Sequence, residues 1–259
     1  MPAMRKNTLK EKLAAGKRVC GFGLPAPLPA LAEIAGLAGF DFLFIDAEHG
    51  PLSEADCQAL VTAAELRGGT PLVRVRQNEP SLILRYMDTG AAGVIVPGVR
   101  SAGEAEQAVA AVKYYPAGSR GLNAVRACDY GMGMPMKEYV AAANRETMVW
   151  PIIENAEGVK HAREILAVEG VDGIIIGSGD LAQDLGFPGQ AGQPEVQAAI
   201  AEIMEAVRQS GKPAGSVVRA GEEPDKYFRE GCRMVIVFVY GMLAQAAEAF
   251  VRQAKDPMR

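Results

Sequence analysis

Two carboxylates stand where short apolar runs give out. Glu154 closes the run Met148–Glu154, and Asp180 follows the run Gly173–Gly177 by three residues. If the two runs are neighbouring strands, the acids come close enough to repel and to shift each other's ionisation. A divalent cation removes that conflict. One Glu and one Asp, with the remaining positions open to water and substrate, suit magnesium, manganese or a similar ion, cobalt included. The competing expectation is that each acid caps the helix that follows it, and Asp180 does precede an apolar stripe. A second concentration of chemistry is Asp46-Ala-Glu48-His49-Gly50-Pro51. His49 is one of two histidines, it sits at an exposed turn, and near a metal it can take or relay a proton at neutral pH. His161 falls within a helix and reads as surface. Arg74, in the run Leu72–Val75, can bind an oxo or carboxylate oxygen and stabilise an enolate, with Arg76 as the alternative. An ion pair of Arg74 with Asp46 or Glu48 is compatible with that role.

The lysines, at 6, 10, 12, 17, 113, 137, 160, 212, 226 and 255, all avoid the ends of the apolar runs. Schiff-base catalysis and pyridoxal phosphate are therefore disfavoured, because both need a lysine inside the site. A carbanion would have to be stabilised by a metal acting as a Lewis acid.

The elements that must position these groups follow from the pattern. The runs Val19–Leu24, Phe42–Asp46, Leu72–Val75, Gly93–Pro97, Met148–Glu154, Gly173–Gly177, Ala214–Val218 and Met234–Val239 are continuously apolar, the signature of strands buried on both faces of a parallel sheet. Helical stripes lie between them: Cys57, Leu60 and Ala64 after Ser53; Ala105, Ala108, Val109 and Val112 after the capping-box pair Ser101 and Glu104; and Val196, Ile200, Met204 and Val207. Eight alternations in 259 residues predict one α/β domain over residues 1–259, a (β/α)8 TIM barrel, whose reactive groups gather at the C-terminal ends of the strands. A doubly wound open sheet is the runner-up. The long connections 99–145 and 180–212 are candidates for lids or subunit contacts.

Composition sets the remaining bounds. Hydrophobic residues make up 49% and the net charge is −4, with no basic stripe for nucleic acid. The four dispersed cysteines, 20, 57, 128 and 232, suggest buried thiols in a reducing compartment. The charged N-terminus lacks a secretory h-region and no apolar run is long enough for a bilayer, so a cytoplasmic protein without membrane contact is expected.

The segment Gly39-Phe-Asp-Phe-Leu-Phe-Ile-Asp-Ala-Glu-His-Gly-Pro51 closely resembles the HpcH/HpaI-type metal-dependent (class II) pyruvate aldolases, a family that includes 4-hydroxy-2-oxoheptanedioate and 2-dehydro-3-deoxyglucarate aldolases. The likeness continues through Leu72–Pro80, Asp88–Ala91, Val96–Pro97, Tyr115–Gly121 and Val168–Leu181. It implies a phosphoenolpyruvate/pyruvate-type barrel that cleaves a 4-hydroxy-2-oxo acid to pyruvate or a related 2-oxo acid and an aldehyde, through a metal-stabilised enolate. It assigns proton transfer to His49, support of that histidine to Asp88, enolate stabilisation to Arg74, metal ligation to Glu154 and Asp180, and oxo-acid binding to the backbone of Gly179. Asp46 joins the catalytic group by its place in the motif, and Ser178 and Ile152 join the substrate-binding one. It also implies a hexamer, a trimer of dimers, with the C-terminal helix, about 240–254, exchanged between subunits. Two departures stand out: Ile152 occupies a position usually held by Gln, and Gly177-Ser-Gly-Asp180 replaces the commoner Gly-Pro-Ala-Asp. The alternatives are a citryl or malyl thioester lyase of the same superfamily, which lacks a basic cluster for its CoA phosphates here, and a non-catalytic small-molecule-binding barrel.

Overall fold

The computed structural model describes residues 5–255. Eight strands, β1 Val19–Leu24, β2 Phe42–Asp46, β3 Thr70–Arg74, β4 Gly93–Val96, β5 Met148–Ile153, β6 Ile174–Ile176, β7 Ala214–Val217 and β8 Met234–Phe238, form a closed barrel in sequence order. Every pairing is parallel, and β8 closes on β1. The open doubly wound alternative is thereby excluded. β3 begins two residues earlier than its apolar run, because Thr70 and Pro71 are in register with Phe42 and Leu43 of β2. β5 stops at Ile153, so Glu154 stands just beyond the ladder.

Side chains alternate across each strand, and the barrel sorts them into two cores. Phe42, Phe44, Leu72, Ile95, Met148, Trp150, Ile152, Ile175 and Ile236 fill the interior. Leu43, Ile45, Val73, Val94, Val149, Ile153 and Ile174 face the helices. The helix Thr8–Ala14 sends Leu9 and Leu13 into the interior cluster beside Val19, Phe42 and Met148, sealing the N-terminal end. The other end stays open. The interior columns Phe42-Phe44, Leu72 and Met148-Trp150-Ile152 continue, at the same parity, into Asp46, Arg74 and Glu154, so the strand period itself aims these polar groups at the mouth.

The helices between strands follow the expected stripes. Ser53 and Asp56 form a full capping box at the helix Glu54–Leu66, whose Cys57, Leu60 and Ala64 are buried. At the helix Ala102–Val112 the box is half made: Ser101 accepts the Glu104 N–H, but the Glu104 carboxylate accepts from Arg100 instead. The connection 99–145 contains that helix, a short turn over Arg126–Gly131 and the helix Met136–Glu146. The final helix, Val239–Lys255, buries only Val239 and leaves Tyr240, Leu243 and Phe250 exposed. Among the described residues, no helix is long and apolar enough to cross a membrane.

Candidate active site

Asp46 and Arg74 are register partners on β2 and β3. Arg74 Nε donates to Asp46 Oδ1 at 2.9 Å and Nη2 to Oδ2 at 2.6 Å, a two-pronged buried pair in which Asp46 is 1% exposed. Asp46 Oδ1 also accepts the backbone N–H groups of Glu48 and His49, each at 3.2 Å, and so folds the turn that follows β2. With both oxygens engaged and no exposure, Asp46 orients its neighbours and presents no face to a ligand. Arg74 Nη1 lies 3.1 Å from Glu48 Oε2, and the guanidinium packs 5.3 Å from the Phe44 ring centre. Three of its five N–H groups are thus committed, and two remain. Arg74 binds an aspartate and a glutamate together, so the ion pair anticipated from sequence involves both acids.

Glu154 follows β5. Its Oε1 accepts the Gly98 N–H, from the loop after β4, at 2.6 Å. Burial pushes its carboxyl up to about 7; the Gly98 N–H opposes this, the negative charges of Asp180 and Glu48 add to it, and Arg74 pulls the other way. Burial likewise raises Glu48, against Arg74 and His49 and with Asp46 and Asp180. Asp180 is exposed in the first turn of the helix Ser178–Asp184. Glu154, Asp180 and Glu48 therefore share one electrostatic neighbourhood. Neither Glu154 nor Asp180 serves as a helix cap: Asn155 Oδ1 caps the helix after β5 by accepting the Gly158 N–H at 2.8 Å, and Gly177 heads the helix after β6 with no side-chain cap. Gly177 has a steric role. A Cβ there would lie 2.5 Å from Glu154 Cβ and 3.1 Å from Ile152 Cγ2, so a glycine is required for Glu154 to stand over the interior.

Among the described residues, no three His, Cys, Asp or Glu side chains are drawn together as a finished metal cluster. The donor set still fits a hard divalent cation. A desolvated carboxylate raised to about 7 beside two further acids is relieved by a positive ion, and a site with few protein ligands leaves positions for water and substrate.

The other expected residues divide. His49 is exposed on the turn after Asp46, with Nε2 3.7 Å from Glu48 Oε2. Ser178 and Gly179 open the helix beside Glu154, and space around Gly179 is free. Ile152 is sealed in the interior one strand period below Glu154, as an apolar floor. Asp88 requires a correction. It ends the helix Pro80–Asp88, which runs back against the strands, and so lies at the N-terminal end of the barrel. There it pairs with the buried Arg120 Nη2 at 2.7 Å. Within one chain it does not support His49. Arg76, the alternative to Arg74, instead anchors the loop after β2, with Nε donating to Ala47 O at 3.2 Å and Nη2 to Leu52 O at 2.5 Å. Glu48 is the site residue that sequence reasoning left without a catalytic or ligand role; its place between Asp46 and His49 was the available signal.

A cavity of about 470 Å³ opens from Glu48 and Glu154 and extends past Gly98 to Arg76, Asn78 and Arg100.

Comparison with known proteins places this arrangement among relatives. Residues 20–247 match the profile described as HpcH/HpaI aldolase/citrate lyase. A 4-hydroxy-2-oxo-heptane-1,7-dioate aldolase of Escherichia coli is 37% identical over 247 residues, covering 94% of this chain and 93% of that protein. A hydroxypyruvate/pyruvate aldolase of Pseudomonas aeruginosa is 37% identical over 235 residues, covering 90% and 87%. Among solved structures, an HpcH/HpaI aldolase/citrate lyase family protein from Burkholderia cenocepacia superposes with a TM-score of 0.92 at 30% identity, covering 97% of this chain and all of the other.

Proposed function

The chain belongs to the HpcH/HpaI aldolase/citrate lyase family, and from that premise we propose that it is a metal-dependent aldolase, cleaving a 4-hydroxy-2-oxo acid to pyruvate or a related 2-oxo acid and an aldehyde. The observation that carries this reading is the trio of carboxylates, Glu48, Glu154 and Asp180, sharing one mouth with Arg74. Glu154 and Asp180 hold the cation, magnesium, manganese or cobalt; when bound, it supplies the Lewis acid that draws electrons toward the oxo group. The Gly98 N–H fixes Glu154. Arg74, held in plane by Asp46 and Glu48, turns its two free N–H groups to the C2 oxygen as negative charge develops there. Ser178 and Gly179 seat the oxo acid beside Asp180. His49 takes the proton of the C4 hydroxyl. The C3–C4 bond breaks, its electron pair stays on C3 and spreads to the C2 oxygen, and C4 leaves as the aldehyde. C3 then takes a proton to give the 2-oxo acid. Aldol addition is the same path reversed.

Family membership also supports a hexamer, a trimer of dimers, in a cytoplasmic setting. The unpartnered face of the helix Val239–Lys255 suits a helix exchanged between subunits. Support of a histidine by Asp88 then requires the mouth of a second copy.

The test is pyruvate release from a 4-hydroxy-2-oxo acid, abolished by EDTA and restored by Mg²⁺ or Mn²⁺. Glu154→Gln, Asp180→Asn and His49→Ala should each lower kcat at least about 100-fold. Full activity in all three would overturn the mechanism.

A further inference from the structure

We infer that His161 is a positioning residue for Glu154: it ties the loop after β4 to the segment after β5 and so keeps the Gly98 N–H on the carboxylate. This role rests on the reading of Glu154 as a metal ligand and adds what keeps that ligand aimed.

Glu154 is steadied by a loop rather than by the ladder. Gly98, which donates to Glu154 Oε1 at 2.6 Å, has a φ of +64°. It belongs to the short segment 97–101 between β4 and the helix Ala102–Val112. A left-handed glycine is conformationally free and does not hold itself in place, so the hold must come from its neighbours. The Val99 side chain is fully buried. Its carbonyl lies against Gly158, where a Cβ would stand 2.7 Å from the oxygen, so the helix Ala156–Lys160 runs directly along the loop. Arg100 is gripped at both ends of its backbone. Its N–H donates to Glu104 Oε2 at 2.7 Å, and its carbonyl lies 3.1 Å from His161 Nδ1.

His161 sits at the break between the helices Ala156–Lys160 and Ala162–Ala167. Its Nδ1 is also 3.0 Å from the Glu157 carbonyl. Carbonyl oxygens only accept, so Nδ1 carries a hydrogen and shares it between the two. The bond to Arg100 closes a ring. Glu154 meets Gly98 through Oε1, the chain runs on to Arg100, His161 takes the Arg100 carbonyl, and the chain returns through Asn155 to Glu154. Without the His161 bond, the loop keeps its Glu104 contact but loses its tie to the segment that carries Glu154. The His161 side chain is 39% exposed, so replacing the ring opens no cavity in the core. What distinguishes a substitute is whether it offers a donor. Asparagine carries an amide N–H about where Nδ1 stands, and leucine carries none.

The experiment compares wild type, His161→Leu and His161→Asn by two readouts. One is Mn²⁺ affinity by calorimetry. The other is hydrogen exchange of residues 97–101 in EDTA, followed by mass spectrometry, with residues 149–153 of β5 reporting global opening. His161→Leu should weaken Mn²⁺ binding about two- to tenfold, the worth of one hydrogen bond. It should also speed exchange in 97–101 by a similar factor while β5 stays as in wild type. His161→Asn should restore both. Either readout unmoved in His161→Leu, equal damage in His161→Asn, or equal acceleration in β5 overturns the positioning role and leaves the aldolase reading intact. A wild type that takes up no Mn²⁺ overturns Glu154 as a ligand; the exchange measurement, made without metal, then still decides whether His161 holds the Gly98 loop.

Discussion

Removing the charge of Glu154 should stabilise the metal-free protein while weakening the metal binding proposed for it. In the folded chain the carboxyl lies at about 7, against an ordinary value of 4.5, chiefly because burial strips it of water. The unfolded chain therefore releases this proton at lower pH than the native one. Between about pH 4.5 and 7 the native state binds more protons, so unfolding free energy falls as pH rises through that window, and above 7 the whole penalty is present. At about 1.4 kcal/mol per pH unit, the penalty is on the order of 3 kcal/mol, and solvent at the open mouth trims it to about 1–3. Glu154→Gln keeps an oxygen for the Gly98 N–H but carries no charge to desolvate. In EDTA at pH 8 the variant should be more stable than wild type by about 1–3 kcal/mol, about 2–10 °C in Tm for a chain of this size. The gap should close toward pH 4.5. Excess Mn²⁺ should reverse the order by stabilising wild type alone. Urea titrations across pH, with and without metal, provide the measurement. A Gln variant less stable than wild type at pH 8 in EDTA, or a gap that ignores pH, refutes the account of a desolvated carboxylate awaiting a cation.

Two further substitutions probe how that carboxylate and its neighbours are held. Gly177→Ala puts a methyl 2.5 Å from Glu154 Cβ; it should cost about 1–3 kcal/mol of stability and at least about tenfold in Mn²⁺ affinity by calorimetry, and native affinity would show that Glu154 is not positioned by this glycine. Asp46→Asn removes the charge that Arg74 grips with two hydrogen bonds; it should cost about 3 kcal/mol in urea unfolding and lower kcat more than it raises KM, whereas unchanged kcat would remove Arg74 from the reaction.

How much of this was legible in the sequence depends on whether local order or spatial order decides the matter. The strands were legible because burial on both faces leaves continuous apolar runs, and their parity carries Asp46, Arg74 and Glu154 to one mouth. The start of β3 was not, since Thr70 is a strand residue only through its register with Phe42. Glu48 stood in view between Asp46 and His49, but its role depends on where Arg74 Nη1 ends. Arg76 reads in sequence as a spare catalytic arginine, because nothing local reveals that two loop carbonyls claim it. Asp88 fails differently. A helix that follows β3 must finish at the barrel's closed end, and that simple consequence of topology outweighs motif resemblance within one chain.

The charges at the mouth connect the fold to its proposed chemistry. Asp46, Glu48, Glu154 and Asp180 face a single committed guanidinium, Arg74. Asp46 is balanced by its two-pronged pair with Arg74, its register partner in the ladder. The other three acids share what is left of one positive charge, and burial raises the two of them that reach deepest. An apolar barrel end would be more stable, because buried charge is costly unless it is paired. The arrangement makes physical sense if a divalent ion completes it. Binding that ion at pH 6 must then expel the proton that Glu154 holds there, whereas at pH 8 it expels almost none. Metal affinity should therefore climb steeply between those two values, a slope that a merely structural cluster of acids would not produce.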